Sequence, residues 1–244
     1  MQERIKKVVL DIIGKGEPSA HSKFESLMRW ADKLFAQRNV EGLRDLIKIV
    51  LRPVQAKHMS DAYLTCANGA IDGLGWVDAL NITGEIDALQ STFLKYVCEQ
   101  GVVSSIAGAE SLNLASDIVL PTVWHSSSVV QMLGQIGRGL ECGAFEQSEN
   151  HQVTYMHPLC IGWVTGGNHS ISQAIVRGDG SVKPSEYLDV SAVVQAVRFD
   201  GTQWRCIASG RSLGRPQYVE FGWVWELGRM ISDLSPDVAV GSRN

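Results

Sequence analysis

The stretch with the most concentrated chemistry runs from Gly166 to Ser170 and reads G-G-N-H-S. It joins two glycines to an amide, an imidazole and a hydroxyl. A strand-like run over residues 159–165 precedes it, and residues 171–177 read as a short helix. Backbone N–H groups at the start of a helix favour anions, and glycine lets the backbone approach a ligand closely. The pattern therefore predicts an anion-binding turn.

Each residue of this turn has a candidate role. Gly166, Gly167 and the amides that follow them would hold a phosphate group. Asn168 and Ser170 would hydrogen-bond it, and His169 would orient the ligand or transfer a proton. The alternative is an ordinary tight turn, in which Asn168 or Ser170 caps the helix and His169 bonds a nearby carbonyl.

Further titratable residues lie outside the turn. His151 and His157 flank the strand that leads to it, with Glu146 and Glu149 just before. The two histidines are six residues apart and fit no compact chelate spacing, so no metal site is predicted. His151 stays a catalytic candidate as a proton carrier or hydrogen-bond partner.

The C-terminal sequence YVEFGWVWELGRM offers one more carboxylate and one ion pair. Glu220 would be a catalytic base if it faced the glycine turn. Glu226 and Arg229 are spaced i, i+3 and are expected to pair on a helix.

The turn resembles the sulfiredoxin signature G-G-C-H-R and the G-x-H-R box of ParB-like proteins. In that superfamily the turn opens a helix and binds nucleotide phosphates. The similarity covers residues 117–190. Asn168 replaces the reactive cysteine, so the resemblance excludes sulfiredoxin chemistry here. Ser170 replaces the arginine, and Arg177 is the first of several cations that could supply the missing charge; the others are Lys183, Arg198 and Arg229.

The resemblance implies binding of a nucleoside triphosphate with Mg²⁺, and phosphoryl transfer or nucleotide hydrolysis as the reaction. The back half also resembles a bacterial family of unknown function with a G-G-N-H-S core. One alternative is a nuclease or toxin of a bacterial defence system, with a cleft of arginines: Arg198, Arg205, Arg211 and Arg215. Another is a non-catalytic interaction module that dimerises or binds a partner through the helices of residues 5–50.

Composition narrows the setting. The chain has 244 residues, 45% of them hydrophobic, which suffices for a packed core. Its net charge of −4 does not indicate nucleic-acid binding. Five widely spaced cysteines without a C-x-x-C motif are typical of reduced thiols. We find no signal peptide or membrane span, and a cytoplasmic location is expected.

Helical periodicity dominates the first part of the chain. It predicts helices over residues 5–13 and 18–39, and a third from residue 40 that ends at Arg52-Pro53. One helix and a loop are expected between His58 and Thr83, and a further helix over residues 86–97, capped by Thr83 and closed by Gly101. A boundary near Ser111 would separate a helical region, residues 1–110, from an α/β domain, residues 111–244.

The second part mixes strands and helices. Strands are predicted at residues 117–124, 151–155, 159–165, 181–183 and 218–225, with helices at 129–136, 171–177 and 227–234. Residues 188–197 fit either period, and Asp200-Gly201 indicates a hairpin. The predicted fold is α+β, with an N-terminal helical region packed on a ParB/sulfiredoxin-like mixed domain.

Overall fold

A computed structural model describes residues 18–65, 75–122, 130–131 and 133–235. The predicted helix over residues 5–13 lies outside these ranges. Helix α1 spans Ala20–Ala36 and confirms the second predicted helix. The hydroxyl of Ser19 caps it by accepting a hydrogen bond from the Ser22 amide at 3.2 Å.

Helix α2 spans Val40–Thr65, so the predicted end at Pro53 is wrong. The ring of Pro53 removes one helical hydrogen bond, yet tertiary contacts on both sides of it keep the helix intact. Arg52 donates to the Ser116 carbonyl at 2.9 Å, and Gln55 donates to the Val119 carbonyl at 2.6 Å. Leu51 and Val54 are buried beside the proline. Packing therefore outweighs the local preference.

The single helix expected at residues 86–97 is also wrong. A short helix, α3 (Trp76–Leu80), precedes this segment. The place of the predicted helix is taken by short elements: β1 (Glu85–Ile86), a 3₁₀ turn (Asp87–Leu89), β2 (Ser91–Thr92), α4 (Phe93–Tyr96) and a π turn (Val97–Gly101). Gln90 takes a left-handed conformation, with φ of 47°, which ends any helix there. Thr92, not Thr83, caps the helix that follows.

A five-stranded mixed sheet forms the centre of the fold. Its strands are β3 (Val102–Val103), β5 (Ile118–Leu120), β6 (Val153–His157), β7 (Ile161–Val164) and β9 (Glu186–Asp189), in the order β3-β9-β6-β7-β5. The β5–β7 and β6–β9 pairs are parallel, and β6–β7 and β3–β9 are antiparallel. Two short strands, β4 (Leu112–Asn113) and β8 (Ser181–Val182), pair beside it. The strands predicted at residues 117–124, 151–155, 159–165 and 181–183 are confirmed as elements, with shorter or shifted bounds.

Helix α5 spans Asn168–Arg177 and confirms the helix predicted after the glycine turn. It begins at the sheet edge where the parallel strands β5 and β7 end. In α/β folds, ligands bind in the crevice outside the carboxyl ends of parallel strands. The fold thus places the predicted turn at an edge where binding sites occur.

Each face of the sheet is covered by its own layer. One core contains Leu43 and Ile47 of α2 together with Trp163 of β7. The other contains Val119 of β5 and Ile171 of α5. Residues on both sides of position 111 contribute to both cores, so the helical region and the sheet share one packed interior. The predicted α+β class is confirmed.

Corrections in the back half concern its last elements. Residues 186–197 contain β9 and then α6 (Ser191–Ala196), so strand and helix both occur there. The Asp-Gly hairpin is confirmed as β10 (Val197–Phe199) and β11 (Trp204–Cys206). The strand expected at residues 218–225 is wrong, because α7 runs unbroken over Val219–Leu234. Of the helix predicted at 129–136, residues 129 and 132 lie outside the description, residues 130–131 are helical, and the chain turns from residue 133 onward.

Candidate functional site

The two glycines of the turn fit closely against the protein's own backbone. A β-carbon on Gly166 would lie 2.7 Å from the Asn150 carbonyl oxygen, and one on Gly167 would lie 2.3 Å from Cδ2 of His151. Gly167 also has a φ of 74°, which favours glycine. These glycines let the turn pack on residues 150–152. Close approach of a ligand is not what requires them.

Backbone hydrogen bonds fix the same contact. The amides of Thr165 and Gly166 both donate to the Gln152 carbonyl, at 2.9 and 3.2 Å, and the Gln152 amide donates to the Gly166 carbonyl at 3.1 Å. The Gly166 amide was assigned to phosphate from the sequence, but it is used inside the protein. Of the amides predicted to bind an anion, those beyond Gly167 remain candidates.

Asn168 ties the helix to the neighbouring strand. Its Oδ1 accepts a hydrogen bond from the Thr122 amide at 2.7 Å, just beyond the end of β5. The amide side chain therefore offers a ligand only its Nδ2 donors. The N-cap position of α5 is Gly167, which has no side chain to cap the helix. The helix's partial positive charge lies at its first-turn N–H groups.

His151 and Ser170 are 19 positions apart in sequence and meet in space. Nε2 of His151 lies 3.0 Å from Oγ of Ser170. Nδ1 of the same ring accepts a hydrogen bond from the Ser148 amide at 2.8 Å. This bond assigns the proton to Nε2, so His151 donates to Ser170. Burial lowers the pKa of His151, which favours the neutral ring that this arrangement needs.

The tautomer of His151 with its proton on Nε2 determines whether Ser170 can act as a nucleophile. A base that activates a serine must present a lone pair to its hydroxyl, and His151 presents N–H instead. Ser170 is therefore no activated nucleophile. Its Oγ accepts from His151, and its own O–H is directed elsewhere as a donor. Ser170 is therefore available as a hydrogen-bond donor.

A cavity of about 280 Å³ opens at this pair. His151 and Ser170 form one part of its wall, and the other lining residues are Ile136, Cys142, Gly143, Ala144, Phe145 and Glu146. Glu146 is exposed and is the charged side chain of this wall. The volume lies near the lower end of ligand pockets and suits a phosphate group more than a whole nucleotide.

The remaining predicted residues lie at different distances from the cavity. His169 is the second residue of α5 and is half-buried. Arg177 lies in the last turn of that helix, about 10 Å along its axis from Ser170. Glu220 is in the first turn of α7, where its neighbour Phe221 packs on Trp163, on the sheet face opposite α5. The structure does not bring Glu220 to the turn.

Other predicted charges are paired elsewhere. Arg229 donates to Glu226 at 3.0 Å, which confirms the expected ion pair. Burial raises the pKa of Glu226, against the Phe199 amide and Arg229, which lower it. The arginine cleft imagined for a nuclease does not gather around the turn. Arg205 pairs with Asp200 at 2.7 Å, and Arg211 pairs with Asp87 at 2.6 Å.

Sequence reasoning missed three partners. Ser148 sets the tautomer of His151, the Thr122 amide holds Asn168, and Cys142 lines the cavity. The contact between Ser148 and His151 has a weak signal in the sequence, because a serine three residues before a histidine can reach its ring. The other two come from chain segments that only the fold brings together.

The geometry defines an α+β protein with a helix start at the carboxyl edge of a mixed sheet. The chain belongs to a family of unknown function (DUF6710), whose model matches residues 13–237. Comparison with curated proteins and with solved structures gave no match. Within the described residues, no helix has the length and apolar character needed to cross a membrane.

Proposed function

We propose that this protein binds the phosphate of a nucleotide in the cavity at Ser170 and hydrolyses or transfers it. The proposal rests on two features of the structure that lie next to each other, the start of α5 and a cavity. Ser170, in the first turn of a helix whose N-cap is Gly167, lines a cavity together with His151. Amides at a helix start, together with the Ser170 hydroxyl, are hydrogen-bond donors suited to phosphate oxygens.

The residues at the start of α5 and His151 would have different roles in binding the phosphate. The Ser170 O–H and the first-turn amides of α5 would hold the phosphate oxygens, while Nδ2 of Asn168 adds a further donor. His151 acts as a positioning residue, because it touches Ser170 and fixes where the hydroxyl proton points. His169 stands beside these groups and would orient the ligand or move a proton.

Glu146 completes a hydrolytic scheme. Its carboxylate lines the same cavity and would take a proton from a water molecule as the water oxygen attacks phosphorus. The bond from phosphorus to the bridging oxygen breaks, and the leaving nucleotide carries the electron pair. Among the described residues, no group of three or more His, Cys, Asp and Glu side chains could hold a metal ion. In this scheme Mg²⁺ arrives with the nucleotide, coordinated mainly by phosphates.

Calorimetric titration with ATP, CTP and GTP, each with Mg²⁺, tests the proposal. We expect binding that Ser170→Ala weakens roughly five- to tenfold through loss of one charge-assisted hydrogen bond. Ser172→Ala is the matched control, because Ser172 is buried on the same helix and points to Tyr63. No heat with any nucleotide and an unchanged melting temperature would refute the proposal. Equal binding by wild type and Ser170→Ala would show that the nucleotide binds outside this cavity.

A second candidate is partner binding through the first helices, in line with the interaction-module alternative. Large apolar side chains are exposed on α1 and α2: Trp30 at 61%, Ile49 at 66% and Leu64 at 81%. Light scattering over a range of concentrations tests it. A dimer that Ile49→Ser dissociates, and that Ser170→Ala leaves intact, would support this function. The nuclease alternative stays a prediction.

A further inference from the structure

A second cavity, of about 380 Å³, lies at the other end of α5. Its lining is polar and includes two arginines and a carboxylate; the full set is Gly137, Arg138, Leu140, Arg177, Gly178 and Asp179. Arg177 is the last residue of the helix, and Ser170 in the first cavity is its third. Seven residues of helix separate them by about 10 Å.

One loop borders both cavities. The Gly137 amide donates to the Gly143 carbonyl at 2.7 Å, and the Cys142 amide donates to the Gln135 carbonyl at 3.0 Å, which closes residues 135–143 into a compact turn. Ile136 lines the first cavity, while Gly137 lines the second. A β-carbon on Gly137 would lie 3.6 Å from Cγ and Cδ of Arg177, so the arginine stem lies along this loop.

The second cavity is positively charged overall. Nε of Arg138 lies 3.7 Å from Oδ1 of Asp179, and the Arg138 side chain is 86% exposed. No carboxylate among the described residues pairs with the exposed Arg177. The two guanidinium groups and one carboxylate sum to a side-chain charge of +1, which the partial negative charge at the C-terminal end of α5 reduces. The geometry suits an anion that Arg177 contacts first and that Asp179 partly opposes.

We propose that Arg138 and Arg177 form a second phosphate subsite, so that one ligand carries phosphate groups to both cavities, whose residues Ser170 and Arg177 lie about 10 Å apart along the axis of α5. This inference rests on the proposed function of the first cavity. A chain of phosphates meets the requirement, either as a short single-stranded oligonucleotide or as inorganic polyphosphate. The first cavity then holds one phosphate, and the rest of the chain runs toward the arginines.

Titration with three probes tests the second subsite. They are a 5′-mononucleotide, a 5′-phosphorylated trinucleotide and long-chain polyphosphate. The trinucleotide should bind more tightly than the mononucleotide. Arg177→Ala should weaken trinucleotide binding about three- to tenfold, leave the mononucleotide unchanged, and lower the salt slope by about 0.7.

Two further variants sharpen the result. Asp179→Asn removes the opposing carboxylate at constant shape and should tighten trinucleotide binding, an effect that loss of folding cannot mimic. Arg29→Ala on α1 removes the same charge from an exposed site that bonds only Ser26 among the described residues. It should change neither affinity. Unchanged melting temperatures confirm that each variant is folded.

The outcomes separate the two claims. A trinucleotide that binds no more tightly than the mononucleotide, or that ignores Arg177→Ala and Asp179→Asn, overturns the second subsite and leaves the first. No binding by any probe overturns both. If Arg177→Ala also weakens the binding of polyphosphate, the site recognises only the spacing of the phosphate groups. If it weakens only the binding of the trinucleotide, the ligand is a nucleotide chain.

Discussion

Gly167→Ala is the sharpest test of how the turn is held. Alanine at φ of 74° costs about 1–2 kcal/mol in backbone strain. Its β-carbon would also lie 2.3 Å from Cδ2 of His151, inside any permitted contact. The ring cannot move freely, because Ser148 and Ser170 hold both of its nitrogens. Overpacking of this kind costs about 1–3 kcal/mol more.

The expected total is about 2–5 kcal/mol of unfolding free energy, or a melting point lower by about 5–15 °C for a chain of this length. Gly210→Ala is the matched control, since Gly210 has a φ of 73° and a β-carbon added there would meet no atom within 4 Å. It should lose only the strain, about 1–2 kcal/mol.

Urea unfolding followed by circular dichroism measures the stability of both variants. It also measures His151→Ala with and without Gly167→Ala. In the His151→Ala background, the excess cost of Gly167→Ala should shrink by at least about 1 kcal/mol, because the clashing ring is gone. If Gly167→Ala is no more destabilising than Gly210→Ala, the glycines do not serve the contact with residues 150–152. The turn would then need another explanation.

Three other perturbations are expected to give measurable results. Asn168→Ala should cost about 1–2 kcal/mol in urea unfolding by orphaning the Thr122 amide, whereas Asn168→Asp keeps the acceptor; equal losses would contradict this. Pro53→Ala should stabilise the protein by about 1–3 kcal/mol by restoring a helical N–H, and a lower midpoint would show that the proline fits α2 better than alanine. Burial lowers the pKa of three histidines below the usual 6.5, namely His58, His151 and His157. The folded state favours the neutral rings, so their contribution to the free energy of unfolding is present above that value and is lost as the pH falls through the folded-state pKa values. The urea midpoint should therefore drop toward about pH 5, and it should drop less in His58→Leu.

The elements that could be predicted are those with strong local signals. Ser19 and an apolar stripe set α1, and Asp200-Gly201 sets the hairpin. Elements that depend on tertiary packing were predicted wrongly. α2 continues through Pro53 because Gln55 bonds a distant strand. α7 is rich in β-prone aromatic residues, yet Trp225 is fully buried and donates to the Val197 carbonyl, so burial decided against propensity.

The site shows the same division. Position and residue types of the turn were evident from the sequence, because a strand, two glycines and a helix follow in order. The pairing of His151 with Ser170 was not, since it depends on β6 returning antiparallel to β7. No fixed spacing encodes that contact. Glu220 failed as a candidate because its segment folds as a helix on the other face of the sheet.

The roles of the G-G-N-H-S residues separate once the packing is known. Gly166, Gly167 and the Oδ1 of Asn168 are committed to holding α5 against residues 150–152 and Thr122. These residues would be required even in a protein that bound nothing. Ser170 is different, because its hydroxyl faces a cavity while His151 occupies its acceptor side. A ligand claim for this turn therefore depends on Ser170 and the first-turn amides, and the glycines give it no independent support.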